Sequence, residues 1–125
     1  MPLKQLWKQM LKILIVEDMQ ERIDWFKQQF IGYHVDITCN IPEAIKLCQE
    51  NKYDNIFLDH DLQENHYATW DVRDDENTGY GIAKWLANSL AQREASVVIH
   101  SLNDSGRKRM YHKLRSAGYN VQIVS

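Results

Sequence analysis

The sequence predicts an α/β fold, in which five parallel strands form a doubly wound sheet. Short apolar segments alternate along the chain with segments that have the 3.6-residue spacing of amphipathic helices. Five strands separated by helices give a parallel sheet, because each right-handed crossover lays a helix across a sheet face. At 125 residues, of which 44% are apolar, the chain suits a single domain with one core.

The first half of the chain supplies two strands and two helices. KILIVED, residues 12–18, is a continuous apolar run that ends in two acids, as expected of a strand covered on both faces. A helix is predicted over residues 19–30, followed by a glycine that favours its end. Residues 34–39 alternate apolar and polar side chains, which indicates a half-exposed strand near a sheet edge. Residues 40–51 predict a second helix, with Asn40 as its cap.

The second half repeats this alternation around one long insertion. NIFLDHDL, residues 55–62, contains the third strand, and the polar stretch 63–80 after it is too long for an ordinary strand-to-helix connection. Such a stretch is expected to be a lid, a binding loop or a disordered segment, with Gly79 and Gly81 as its hinge. The helix and strand segments that follow are 80–92, 95–101, 103–118 and 120–125.

Several features limit the classes of function. Basic and acidic residues are nearly balanced, 15 against 17, and no basic stripe is present, which disfavours a bulk nucleic-acid surface. No apolar run is long enough to span a membrane and no cleavage signal is present, so we expect a cytoplasmic protein. Cys39 and Cys48 lie in apolar patterns, which favours reduced core thiols. Residues 1–10 form an N-terminal extension with a weak helical pattern.

Acidic and polar side chains collect where the predicted strands end. In open parallel sheets, ligands bind at this edge. Carboxylates that converge there would repel one another without a cation, so we expect a divalent ion, and oxygen ligands favour Mg²⁺ or Mn²⁺. The alternative is that the acids only cap strand ends in water. The side chains in question are Glu17, Asp18, Asp59, His60, Asp61, His100, Ser101 and Asn103.

Three of these segments carry a family resemblance. KILIVED, NIFLDHDL and SVVIHS resemble the receiver domain of bacterial response regulators, a flavodoxin-like fold, and the resemblance runs from residue 12 onward. It implies that Glu17, Asp18 and Asp59 hold magnesium. It also implies that Asp59 accepts a phosphoryl group from a histidine kinase and that Ser101 contacts that group. The family's carbonyl ligand falls on Asp61, which completes the predicted metal ligands.

The chain departs from that family at its C-terminal end. Receivers place a lysine just after the last strand, and this position falls near Ser125. The aromatic residue of the last strand falls near Gln122, and the final helix of receivers is missing. These departures argue against ordinary phosphoacceptor signalling. They predict a single receiver-like domain over residues 1–125 that lacks the last helix.

Other segments resemble a variant of the receiver. DHDL, the insertion, GYGIAKWL and IHSLNDSGRKRM are similar to the cyclic-phosphate processing receiver-like domains, which implies action on cyclic phosphate ends. Asp59, His60 and His100 are therefore candidate catalytic residues, because a metal lowers the pKa of its bound water and histidine moves protons near neutral pH. Each histidine also has an alternative role in the core, since strand alternation turns it away from the neighbouring acid or serine.

The start of the last predicted helix supplies the candidate phosphate-binding residues, Ser101, Asn103 and Arg107. Free N–H groups at a helix start can receive an anion, and Arg107 is expected to supply the charge of the absent lysine. As a lid, the insertion would bring His66 or Arg73 over a bound phosphate.

Three functions remain open. The chain is a metal-dependent enzyme acting on a cyclic or terminal phosphate, an atypical receiver phosphorylated on Asp59, or a non-catalytic pseudo-receiver. The corresponding partners are a phosphate-bearing small molecule or RNA end, a histidine kinase, and another protein.

Overall fold

The computed structural model describes residues 11–62 and 78–124, in which strands and helices alternate along the chain. The predictions made for the N-terminal extension, for His66 and Arg73 of the insertion, and for Ser125 lie outside these residues. The elements are β1 (Lys12–Val16), α1 (Gln20–Gln29), β2 (His34–Thr38), α2 (Ile41–Glu50), β3 (Asn55–Leu58), α3 (Gly79–Ser89), β4 (Ser96–Ile99), α4 (Asp104–Ser116) and β5 (Asn120–Ile123).

The five strands form one parallel sheet in the order β2-β1-β3-β4-β5. This confirms the predicted α/β class and places the half-exposed β2 at an edge, as its alternating pattern indicates. The chain moves outward from β1 to β2 and then returns to β3 on the other side of β1. A crevice therefore opens at the carboxyl ends of β1 and β3, where ligands bind in sheets of this type.

Helices cover both faces of the sheet, as a doubly wound fold requires. The larger core lies under α2, α3 and α4, and its fully buried side chains include Leu14, Ile56 and Met110. The smaller core lies under α1, where Phe26 packs on Ile13 and Ile15. The described residues contain no helix after β5, in agreement with the predicted absence of the last receiver helix.

Local signals mark the helix ends, and the cap at Asn40 and the glycine after α1 agree with the prediction. The Asn40 side chain accepts the backbone N–H of Glu43 at 2.9 Å, and Asn103 accepts that of Gly106 at the same distance. Gly32 and Gly118 have φ angles of 92° and 93°, a conformation that favours glycine after a helix.

The predicted insertion ends too late by two residues. Thr78 caps α3 by accepting the backbone N–H of Tyr80, so Gly79 and Tyr80 are helical. Gly79 and Gly81 are buried in the first turn of this helix, and the hinge role of these two glycines stays a prediction.

Both cysteines are free thiols, as predicted. Burial raises the pKa of the Cys48 thiol to about 12. No helix in the described ranges is long and apolar enough to cross a membrane. The cytoplasmic location stays a prediction.

Candidate functional site

Strand register brings the predicted site residues to one level of the sheet. Val16 pairs with Leu58, and Leu58 pairs with Ile99, so the residues that follow them are neighbours at the same edge. These following residues are Glu17, Asp59 and His100. Carboxylate oxygens of Glu17, Asp18 and Asp59 lie within 4.8 Å of one another, and we call these three residues the acidic cluster.

Glu17 is the fixed member of the acidic cluster. Its carboxylate is fully buried, and its Oε2 accepts the backbone N–H groups of Asp18 and Met19 at 3.0 Å and 3.3 Å. His100 Nε2 lies 3.2 Å from its Oε1. Burial by itself would raise the pKa of Glu17, but hydrogen bonds from His100 and Asp59 outweigh burial and lower this pKa to about 2. Glu17 is therefore ionised at neutral pH.

Asp59 is the member of the acidic cluster whose pKa is raised. Burial, followed by the negative charge of Glu17, raises the pKa of Asp59 from its usual 3.8 to about 8, although a hydrogen bond from Ser101 and the charge of Arg22 oppose the rise. The raised pKa of Asp59 favours a proton shared between the two carboxylates when no cation is present. A divalent cation would also offset this repulsion between the carboxylates. Three clustered carboxylates are also a suitable donor set for Mg²⁺ or Mn²⁺.

Arg22 is a site residue that the sequence reasoning missed. Its Nη1 lies 3.3 Å from Glu17 Oε1 and 3.7 Å from Asp59 Oδ2. The available signal was its position, because a helix that follows an acid-ended strand begins at the edge where the acids lie. A basic residue in the first turn of that helix therefore faces the acids.

Arg107, the predicted substitute for the missing lysine, has other contacts. Its Nη1 donates to the backbone carbonyl of Ser101 at 3.3 Å, and its Nη2 donates to Asp104 at 2.9 Å. These contacts stabilise the start of α4. Its role in phosphate binding stays a prediction, and within the described ranges Arg22 is the arginine in contact with the acidic cluster.

The side chain of Asp61 contacts His60 and Asn103 and is not a member of the acidic cluster. Its Oδ1 is 2.8 Å from His60 Nδ1 and accepts the Asn103 side-chain amide at 3.2 Å. Because Asn103 also caps α4, these three residues join the end of β3 to the start of α4. The predicted metal contact of Asp61 stays a prediction.

The two histidines differ in accessibility. His60 is 0% exposed, and its ring lies so close to Gly106 that a β carbon there would clash with it. Burial favours the core role left open for His60. The His100 ring packs edge-on against Phe26 with ring centroids 5.2 Å apart, and lines a groove beside the acidic cluster. Of the two, His100 is the better placed to exchange a proton with a ligand.

The predicted phosphate residues Ser101 and Asn103 lie at the same edge. Ser101 is fully buried and hydrogen-bonds to Asp59, and its Oγ accepts the backbone N–H of Asn103 at 3.1 Å. The edge therefore combines carboxylates, a hydroxyl, a guanidinium and an imidazole, which can together hold a cation and an anionic ester.

Comparisons with known proteins agree with this geometry. A family model described as "Cyclic-phosphate processing Receiver domain" matches residues 12–116. No curated protein matches the chain.

Solved receiver structures share the fold. Chemotaxis protein CheY4 of Vibrio cholerae superposes with a TM-score of 0.65 at 18% identity, over 93% of this chain and 86% of that chain. A two-component response regulator from Clostridium difficile gives 0.62 at 21% identity, over 91% and 81%. A response regulator from Burkholderia pseudomallei, crystallised with a phosphorylated aspartic acid, calcium ion and citrate, gives 0.61 at 16% identity. That match covers 90% of this chain but 58% of the regulator. At such identities the likeness shows the fold alone.

Proposed function

The chain belongs to the family of cyclic-phosphate processing receiver domains, and from this premise we propose that it is a divalent-metal-dependent phosphodiesterase that opens cyclic phosphates. The observation that carries the proposal is the acidic cluster, whose three carboxylates lie within 4.8 Å of one another beside Arg22 and Ser101. A phosphate ester needs positive charge at its oxygens, an attacking water and a proton for the leaving oxygen.

Glu17, Asp18 and Asp59 would hold the ion, Mg²⁺ or Mn²⁺, with Asp61 in support. When bound, the ion would lower the pKa of a bound water and offset the phosphate charge. Arg22 would bind a phosphoryl oxygen once the cation replaces it as the partner of the acids. Ser101 would donate to a second phosphoryl oxygen, and Asn103 and Arg107 would hold the helix start that faces the phosphate.

His100 would deliver the proton. In the reaction a water oxygen bonds to phosphorus and gives up one proton to the solvent or to a site base, one ring P–O bond breaks, and the departing ribose oxygen takes one proton from His100. The product is a monophosphate, and no proton is gained or lost overall. His100 contacts Glu17 through Nε2 and also lines the neighbouring groove, which supports this role. His60 would act as a positioning residue that orients Asp61 and α4.

The test is hydrolysis of adenosine 2′,3′-cyclic phosphate with Mg²⁺ or Mn²⁺, followed by phosphorus NMR. We expect a monophosphate product, loss of turnover to background in Asp59→Ala, and little change in Glu94→Gln. Glu94 is a matched control because it is an exposed acid that precedes β4, away from the carboxyl ends of the strands where the acidic cluster lies. Turnover that Asp59→Ala retains would overturn the proposal.

A second candidate function is phosphoryl acceptance by Asp59. Two observations favour it: Asp59 is the acid directly after β3, and one structural neighbour is a response regulator with a phosphorylated aspartic acid. Mass spectrometry after treatment with acetyl phosphate would detect an adduct that Asp59→Asn abolishes. If neither turnover nor an adduct is found, a non-catalytic module that binds a protein partner replaces both candidates.

A further inference from the structure

A groove of about 330 Å³ opens directly beside the acidic cluster. Two of its lining residues also contact Glu17: Arg22 at 3.3 Å and His100 at 3.2 Å. The groove and the acidic cluster therefore share a wall, and a ligand with its phosphate at the acids would extend into the groove. The main lining residues are Arg22, Trp25, Phe26, Phe57, His100 and Leu102.

The walls of this groove are apolar and exposed. Trp25 is 56% exposed and Leu102 is 74% exposed, although both are large apolar side chains. Each follows a site residue along the chain: Trp25 lies three residues after Arg22 on α1, and Leu102 follows Ser101. Flat aromatic walls with one charged end favour a planar, largely apolar ligand group that is joined to an anion.

We propose that this groove binds the base of a 2′,3′-cyclic mononucleotide whose phosphate lies at the acidic cluster. The inference rests on the proposed function and names its substrate class. Each of the four bases can stack on an aromatic face. The exposed Trp25 supplies such a face, and Arg22 on the same helix supplies a positive charge for the phosphate.

The charge of the site favours a mononucleotide over an RNA strand. The chain has a formal net charge of −2, and Glu21 is one of the residues that line the groove. Among the lining residues that the structure describes, Arg22 is the one arginine or lysine. A strand would bring further phosphates that need further cations. One base, one ribose and one cyclic phosphate match the Arg22 guanidinium and this aromatic groove.

The test compares ligands with and without a base. The ligands are adenosine 2′,3′-cyclic phosphate, a base-free methyl riboside 2,3-cyclic phosphate, and a short RNA with the same terminal cyclic phosphate. KM is measured for each, and Kd is measured by calorimetry with slowly hydrolysed phosphorothioate forms. We expect the wild-type protein to prefer the nucleotide over the base-free ester by about tenfold or more.

Variants then locate the base. In Trp25→Ala this preference should fall to about twofold, while the constants of the base-free ester stay unchanged and Trp25→Phe keeps most of the preference. Leu102→Ala should reduce it in the same direction. Ile31→Ala is the matched control, since Ile31 is an exposed apolar residue that does not line the groove.

The outcomes separate this inference from the proposed function. Equal constants for the nucleotide and the base-free ester, with turnover of both, would overturn the base site and leave the enzyme. Base-dependent binding that Trp25→Ala abolishes, without any turnover, would keep the base site and overturn the enzyme. RNA that binds about tenfold more tightly than the mononucleotide would overturn the choice of ligand, as would a preference that Trp25→Ala retains.

Discussion

The backbone carbonyl oxygen of Asp59 occupies the space that a β carbon on Gly79 would need. The Gly79 N–H also donates to the backbone carbonyl of His60 at 2.7 Å. The first turn of α3 thus packs directly on the end of the strand that carries the central acid. Only a residue without a side chain fits at this contact, and the position of Asp59 depends on it.

Gly79→Ala should therefore destabilise the protein. Overpacking at a backbone contact forces the helix or the strand end to move, at a cost of about 1–3 kcal/mol in the free energy of unfolding. Urea denaturation would measure this cost, and Mg²⁺ affinity should fall with it. Asn88→Ala, at an exposed position of the same helix, is the control. Equal stability of the two variants would contradict the packing argument.

Asp18→Asn should weaken binding of Mg²⁺ and Mn²⁺ by about tenfold or more. The reason is that Asp18 supplies one of three clustered carboxylates, and affinity for hard cations follows the number of charged oxygen ligands. Isothermal calorimetry of the metal-free protein is the measurement. Asp104→Asn removes an equal charge outside the acidic cluster and should leave the affinity unchanged. A similar loss in both variants would indicate a general charge effect in place of a site.

In metal-free protein, Asp59→Asn should increase stability most at high pH. The pKa of Asp59 is about 8 in the folded protein, and its ordinary value of 3.8 applies to the unfolded chain. Between pH 3.8 and about pH 8 the folded state therefore holds a proton that the unfolded state lacks. Stability from this group therefore falls as pH rises, and asparagine removes that fall. Glu17, with a pKa of about 2, stays ionised throughout.

The measurement is urea denaturation in a chelator between about pH 5 and about pH 8. The gain of Asp59→Asn over wild type should grow by roughly 2–4 kcal/mol across this range. Asp104→Asn should give a flat difference, because that exposed acid is ionised in both states above about pH 5. A flat difference for Asp59→Asn would show that no buried proton is held between the two acids.

Gln92→Ala should cost about 2–4 kcal/mol in the free energy of unfolding. The buried Gln92 amide accepts the backbone N–H of Tyr53 at 2.9 Å and donates to the carbonyls of Cys48 and Asn51 at 2.8 Å and 2.6 Å. Truncation leaves three backbone groups without this partner. Gln49→Ala, at an exposed position of α2, is the matched control in thermal or urea unfolding. Equal losses in the two variants would contradict the assigned role.

Periodicity predicted the fold because it reflects burial directly. An apolar run such as the one in β1 has no stable place except between two layers, and the alternation in β2 requires one exposed face. Caps such as Asn40 and Gly32 act within a few residues, so their positions were also readable. The start of α3 was misplaced because the glycines there indicated a loop, whereas close packing on Asp59 requires a glycine in a helix.

The acids of the site were predicted because strand ends meet at one edge in any parallel sheet. Their cationic neighbour was not, because the choice between Arg22 and Arg107 depends on which local partners each finds. Asp104 and the Ser101 carbonyl hold Arg107, while Arg22 has the acids within reach. The contacts of Asp61 with His60 and Asn103 likewise depend on how α4 packs against the end of β3. This packing cannot be predicted from one segment of the sequence.

The contact between Glu17 and His100 joins residues 83 positions apart, across three adjacent strands. Such a site exists only in the fully assembled chain, so an ion bound there would act as a ligand of the native state alone. At a free ion concentration ten times its Kd, the bound ion would raise the free energy of unfolding by about 1.4 kcal/mol. Cellular metal supply would then govern how long the protein survives proteolysis, independently of any reaction it performs.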